Sequence, residues 1–409
     1  MRRPLLSTAV KSAALAGVFC LASLPALADM VLERVVLVQR HGVRAPTQSP
    51  EALASWTARQ WPSWPVGRGE LTPRGAQVVG LMADGIRAGY VAQGLLPATG
   101  CPGDSLVIWA DGADERTRDS GRMLADRLAP GCAAPLGHGP DGQKDKVFDS
   151  TGGACRLEDK AARKAIAAFT GNEGIVDPAA AEAIRRVWSI LKPGEAPGPS
   201  SFKVTPGGIT ISGALSVAAQ ASEIFLLQYA ENMPVADVGW GAAADPAVLA
   251  VLLPARDRLA DLSRRLPYLA RRQGAGMARI MLATLAGETR AAAPAIGPGV
   301  KMLAFAGHDD DISNMAGIFG VNWSLPRQPD TAPPAAAFAL ERWRDTTTGA
   351  VLVGATVWYA ELEGMRALDP ARVRSLKVPL PGCGQSGLCP FDALRAQALK
   401  DIPAACGGG

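Results

Sequence analysis

Residues 31–38 are almost continuously apolar, with Val35-Val36-Leu37-Val38 at the centre. An unbroken apolar run this short predicts a strand buried on both faces, as in a parallel sheet. The same signal recurs at residues 105–110 and 301–306. Residues 336–343 and 351–359 alternate instead, and predict a hairpin turning at 345–349. Helical periodicity begins behind Thr72, which suits an N-cap with Pro73 at the first helical position, and extends to residue 95. Asp114 can cap a second helix through residue 127, stopped by Pro130-Gly131. Beyond residue 132 the pattern becomes helical, at 161–168, 179–191, 213–231, 246–271 and 275–285. Only residues 203–204 and 209–211 hint at strands there, and the Pro- and Gly-rich stretch 193–206 predicts a surface connection. A last helix is expected at residues 312–319.

Strand character returns at residue 301, so the helical stretch reads as an insertion into one sheet domain rather than a second domain in tandem. The expected class is α/β: an open sheet core with helices on both faces and an inserted, mostly helical domain. Residues 29–131 and 299–409 would form the core and residues 132–298 the insertion. Residues 1–28 read as a signal peptide. Arg2 and Arg3 precede an apolar run at 13–24, and Pro25-Ala26-Leu27-Ala28 ends in small residues around a cleavage site. Cleavage is expected after Ala28, giving a periplasmic protein. No other stretch is long and apolar enough to cross a membrane.

The export signal changes the reading of the charge. The chain has 42 basic and 38 acidic residues, a formal +4. Arg2, Arg3 and Lys11 all lie in the leader, which holds no acid; without it, 39 basic residues face 38 acidic ones, a net +1. That balance excludes a general nucleic-acid binder and offers nothing to an anionic membrane. Six cysteines remain beyond the leader: Cys101, Cys132, Cys155, Cys383, Cys389 and Cys406. An even number in an exported chain favours disulfides, with 15 possible pairings. There is no CxxC and no histidine beside a cysteine, so zinc is poorly supported.

Chemistry is concentrated at two strand ends. Arg40-His41-Gly42-Val43-Arg44-Ala45-Pro46 follows the first buried strand, and Gly307-His308-Asp309 follows the strand at 301–306. Ligands of open α/β sheets bind beyond the carboxyl ends of strands, so His41 and His308 are expected to face one crevice. His138, the third histidine, reads as exposed and inert in a loop. Arg40 and Arg44 offer guanidinium forks suited to phosphate. Their charge would keep His41 neutral and nucleophilic. Arg116, in Asp114-Glu115-Arg116-Thr117, starts the helix after the second strand and can enter the same crevice. Asp309 is a candidate proton donor to a leaving oxygen, although Asp309, Asp310 or Asp311 can each serve instead as a helix cap. Three acids from one segment make a poor cage for a hard cation, so no metal is expected.

The first motif resembles the RHGxRxP signature of the histidine acid phosphatases, and His308-Asp309 resembles their distal HD motif. Asn322-Trp323-Ser324-Leu325-Pro326 and Glu341-Arg342-Trp343 look most like the periplasmic bacterial branch, the acid phosphatase/phytase enzymes and glucose-1-phosphatases. The resemblance implies a cofactor-free acid phosphatase acting on small phosphate monoesters, phytate or sugar phosphates among them. His41 would be the nucleophile and Asp309 the proton donor, with Arg40, Arg44, Arg116 and His308 holding the phosphoryl oxygens. It also implies the disulfides Cys101–Cys132, Cys155–Cys406 and Cys383–Cys389; a monomer is expected. The competing reading is a non-catalytic periplasmic phosphate- or polyanion-binding protein. After His308-Asp309 this chain has Asp310-Asp311, where the family has Thr-Asn or Ser-Asn. Two extra acids there would repel a heavily phosphorylated substrate.

Overall fold

A computed structural model describes residues 30–133, 135–384 and 387–407. The expected leader and its cleavage site lie outside those residues. Ten strands are described: β1 (Met30–Arg40), β2 (Leu106–Ala110), β3 (Leu136–His138), β4 (Ser200–Thr205), β5 (Gly208–Gly213), β6 (Met302–Gly307), β7 (Ala337–Asp345), β8 (Val351–Ala360), β9 (Val373–Val378) and β10 (Cys389–Pro390). Eight of them form one mixed sheet in the order β10-β8-β7-β1-β6-β2-β3, with β9 also on β8. From β1 to β3 the pairings are parallel; β7 to β10 pair antiparallel.

The central strands are buried on both faces because every side chain has a core to enter. In β1, Val36 and Val38 join one apolar cluster, while Val35 and Leu37 join another. β6 alternates likewise, with Leu303 and Phe305 on the first side and Met302 and Ala304 on the second. Helices α1 (Pro50–Trp56), α2 (Pro73–Ala92) and α3 (Glu115–Leu128) follow β1 and β2. α2 and α3 cover one face. The other face is covered by α10 (Ala275–Ala286) and α11 (Asp309–Phe319). Between α3 and α10 in the chain lie α4 (Asp159–Thr170), α5 (Pro178–Leu191), α6 (Ala214–Ala230), α7 (Pro246–Leu252), α8 (Pro254–Ala260) and α9 (Pro267–Gln273). Residues 157–269 build a third apolar cluster of their own, joined by Leu362. β3 and α10 both belong to the sheet unit, although they fall inside residues 132–298.

Several local expectations change. The single helix expected at 246–271 is broken at Pro254 and Pro267, with a π turn at Asp261–Arg265 between α8 and α9. Proline lacks the N–H and clashes with the preceding turn, so each one restarts a helix. The stretch 193–206 is not wholly a connection: β4 pairs with β5 as a hairpin from Thr205↔Gly208 to Ser200↔Gly213. His138 closes β3 rather than sitting in a loop, and its ring is exposed. Thr72 does cap α2, accepting from the Gly75 N–H at 2.8 Å. Disulfides join Cys101–Cys132, Cys155–Cys406 and Cys383–Cys389. Among the described residues no helix is long and apolar enough to cross a membrane.

Candidate active site

The sheet register sets the site. Arg40 pairs with Gly307 across β1 and β6, and Ala110 pairs with Ala306 across β2 and β6. Three parallel strands therefore end level. The chain leaving each is held there, the His41 N–H on the Gly307 carbonyl at 2.8 Å and the Asp111 N–H on the Ala306 carbonyl at 3.0 Å. This brings together the two histidines, 267 residues apart in sequence, with ring centroids 5.6 Å apart. Gly42 is needed for close approach rather than for a special φ. A Cβ there would overlap the Gly75 carbonyl at the start of α2.

His41 is 2 % exposed. Its Nδ1 lies 2.8 Å from the Gly42 carbonyl oxygen. A carbonyl only accepts, so Nδ1 carries the proton and Nε2 keeps its lone pair. Burial, then the charges of Arg116, Arg40, Arg44 and His308, hold the imidazole pKa well below its ordinary value. His308 differs. Burial pulls it down, but the hydrogen bond to Asp111 Oδ2 at 2.9 Å and the nearby Asp311 outweigh this and raise it. One ring is thus held neutral and the other favours its cation.

Arg40 is fully buried, ion-paired to Glu223, to Asp330 at 3.4 Å and to Asp309 at 3.6 Å. Arg44 meets Glu223 at 3.2 Å. Arg116 is gripped by both oxygens of Asp114 at 2.8 Å, so the Asp114 side chain pairs with a cation rather than capping α3. Asp309 opens α11, with Arg256 at 2.9 Å and Arg264 at 2.5 Å on its Oδ2. Burial raises Asp309, but Arg40, Arg264 and Arg256 more than reverse this and hold it well below the usual carboxylate range. Asp311, not Asp309 or Asp310, accepts the His308 N–H at 2.7 Å.

Four charged residues here were not singled out in the sequence: Glu223, Arg256, Arg264 and Asp330. Glu223 carried a usable signal. It is the single charge in the 17-residue apolar helix α6, and a buried charge requires a partner. The others offered none, since Arg256 and Arg264 sit among many arginines. Arg256 contacts Glu223 at 3.2 Å, Asp309 at 2.9 Å and Asp330 at 3.3 Å. Arg256→Met strands these buried carboxylates, and we expect it to cost about 3–5 kcal/mol in urea unfolding; a loss below about 1 kcal/mol would refute that reading. Burial opposes ionisation of Glu223, but Arg256, Arg44 and Arg40 prevail and place it at about 2. Its contribution to stability is complete above the ordinary 4.5 and is lost only as pH falls towards 2. The cluster therefore survives in acid.

The repulsion expected of Asp310-Asp311 is smaller than two charges. Asp310 is paired with Arg264 at 2.8 Å. Asp311 is 3 % exposed, and burial pushes its carboxyl up to about 8, so it is neutral in acid. The tryptophans after the first motif serve the fold. Trp61 stacks on Phe225 at 6.0 Å and tilts against Trp240 at 4.7 Å, tying the loop to the helical unit.

The family profile described as histidine phosphatase superfamily (branch 2) matches residues 31–186. Phytase AppA of Escherichia coli (strain K12) is 32% identical over 389 residues, covering 88% of this chain and 90% of that one. Glucose-1-phosphatase of Salmonella typhimurium is 24% identical over 385 residues, with the same coverage. The apo form of Hafnia alvei phytase matches with a TM-score of 0.86 at 31% identity, covering 93% of this chain and 99% of that one. Citrobacter braakii phytase matches with 0.83 at 30% identity, covering 92% and 98%. Arginines, histidines and an aspartate gathered at three level strand ends, in a fold shared along nearly the whole chain with these phosphatases, make this chain a phosphomonoesterase belonging to branch 2 of the histidine phosphatase superfamily.

Proposed function

We propose that the chain hydrolyses small phosphate monoesters in acid through a phosphohistidine at His41, without a metal. The supporting observation is the His41 ring, whose Nδ1 proton is fixed on the Gly42 carbonyl while Nε2 stays unprotonated among arginines. Nε2 attacks phosphorus as the bond to the leaving oxygen breaks. Asp309 gives that oxygen its proton. Arg40, Arg44, Arg116 and protonated His308 hold the phosphoryl oxygens in place. Water then attacks the phosphohistidine, returns a proton to Asp309 and restores His41. Relatives named phytase and glucose-1-phosphatase support inositol phosphates or sugar phosphates as the substrate class. The leader-like residues 1–28 and the three disulfides support a periplasmic location. We take the enzyme to be a monomer, with a sheet unit built from the described residues of 30–156 and 270–407 and a helical unit of 157–269.

Asp111, Asp114 and His308 bring ligand atoms within 4.8 Å of one another. Two of the three are already committed, Asp114 to Arg116 and Asp111 to His308. We therefore expect phosphate release from phytate, glucose 1-phosphate or p-nitrophenyl phosphate at acid pH to be unchanged by EDTA. Activity lost in EDTA and restored by a divalent cation would overturn the metal-free reading.

A further inference from the structure

A cavity of about 280 Å³ is lined by both Arg116 and His308. Its wall carries Asp111, Asp114, Asp145, Asp149, Asp310 and Asp311. Four of these six are already paired, Asp111 with His308, Asp114 with Arg116, Asp149 with Lys144 and Asp310 with Arg264, and Asp311 is neutral in acid, which leaves Asp145 without a cationic partner among the described ion pairs. The known reaction does not need this. Phosphoryl oxygens call for cations, and those are supplied by the arginines around His41.

A second observation points the same way. Asn314 lines this cavity, is 2 % exposed, and its Oδ1 has no hydrogen-bond partner. Gln273 lines it too, and its Oε1 is likewise buried and unpartnered. A buried acceptor left without a donor costs free energy. Two such acceptors beside the Asp145 carboxyl define a site short of hydrogen-bond donors.

We propose that this cavity is a leaving-group subsite for an organic ammonium, and that the enzyme prefers phosphate monoesters whose alcohol carries a protonated amine, such as aminoalkyl or amino-sugar phosphates. The inference rests on the phosphatase reading above and extends it to the group esterified to the phosphate. Arg116 and His308 mark the boundary: on one side they hold phosphoryl oxygens, on the other the cavity receives the alcohol. An ammonium donates three hydrogen bonds and accepts none. It therefore matches the Asp145 carboxyl and the two amide oxygens, which a hydroxyl with its single proton satisfies less well. A bare divalent cation fits less well, because Arg116 and Lys144 share the cavity with it.

The test compares kcat/KM for phosphoethanolamine and 2-hydroxyethyl phosphate, which differ by ammonium against hydroxyl, with p-nitrophenyl phosphate as a control. We expect the wild type to favour the ammonium ester about tenfold. In Asn314→Leu, and separately in Gln273→Leu, the preference should fall about threefold or more. Because the readout is a ratio of two substrates on one enzyme, a partly unfolded variant does not distort it. Equal kcat/KM for the two esters, with p-nitrophenyl phosphate still hydrolysed, would overturn the subsite and leave the phosphatase reading intact. Equal values that respond together to millimolar Mg²⁺ would assign the cavity to a metal ion and overturn it also. Hydrolysis of none of the three would remove the phosphatase reading and the subsite with it.

Discussion

His41→Ala lowers kcat by on the order of 10⁴-fold or more on every phosphate ester, while inorganic phosphate still binds. The expectation follows from the division of labour at the strand ends. Arg40, Arg44, Arg116 and His308 carry the charge that holds a dianion, and none of them offers a free lone pair to phosphorus. Guanidinium groups have no acceptor, and His308 Nε2 is engaged with Asp111. Only His41 Nε2 is unprotonated in that field. Removing the imidazole also removes a buried ring packed against His308, so thermal unfolding with and without phosphate belongs beside the kinetics. Phosphate should still raise the midpoint of the variant. Acid quench of the wild type during turnover should trap phosphate on protein as an acid-labile adduct, and the variant should trap none. A variant that retains more than about a tenth of wild-type kcat would exclude phosphohistidine chemistry and give the attack to water.

Much of this site was legible because its parts are local in sequence. The apolar run at 31–38 locates β1, the one at 301–306 locates β6, and the motifs behind them place His41 and His308 at matching ends. What was illegible is long-range. Nothing near Arg256 announces that it will sit between Glu223, Asp309 and Asp330. That depends on how α8, restarted by Pro254, packs against α6 and sends Arg256 to Asp309 at the start of α11. The charge of Asp310-Asp311 was misjudged for the same reason. Counting acids along a chain assumes that they are exposed and ionised, whereas burial neutralises Asp311 and the helical unit supplies Arg264 to Asp310. β9 escaped notice because Val373–Val378 is polar and half-buried, an edge strand with one face to solvent. Unlike these, the stop at Pro267 could be read from the sequence with the proline rule applied strictly.

Asp309→Asn separates alkyl from aryl esters. For an alkyl phosphate the leaving alkoxide needs a proton, and losing the donor should lower kcat about 10²–10⁴-fold. p-Nitrophenolate leaves without help, so for that substrate phosphorylation of His41 should be little changed. The pH profile should change as well. In the empty site Arg40, Arg264 and Arg256 hold Asp309 ionised, against the effect of burial. A dianionic phosphoryl group beside Arg40 opposes those arginines and raises the Asp309 pKa. Donation requires the protonated form, so kcat on alkyl esters should fall as pH rises through the value in the complex. In Asp309→Asn that alkaline limb should disappear along with most of the rate. Arg264→Gln gives the opposite signature: one cation fewer on Asp309 raises its pKa, and the limb should move to higher pH with kcat retained at acid pH. An Asp309→Asn enzyme that hydrolyses alkyl and aryl esters with equal loss would show Asp309 to be a structural partner of the arginines rather than the acid.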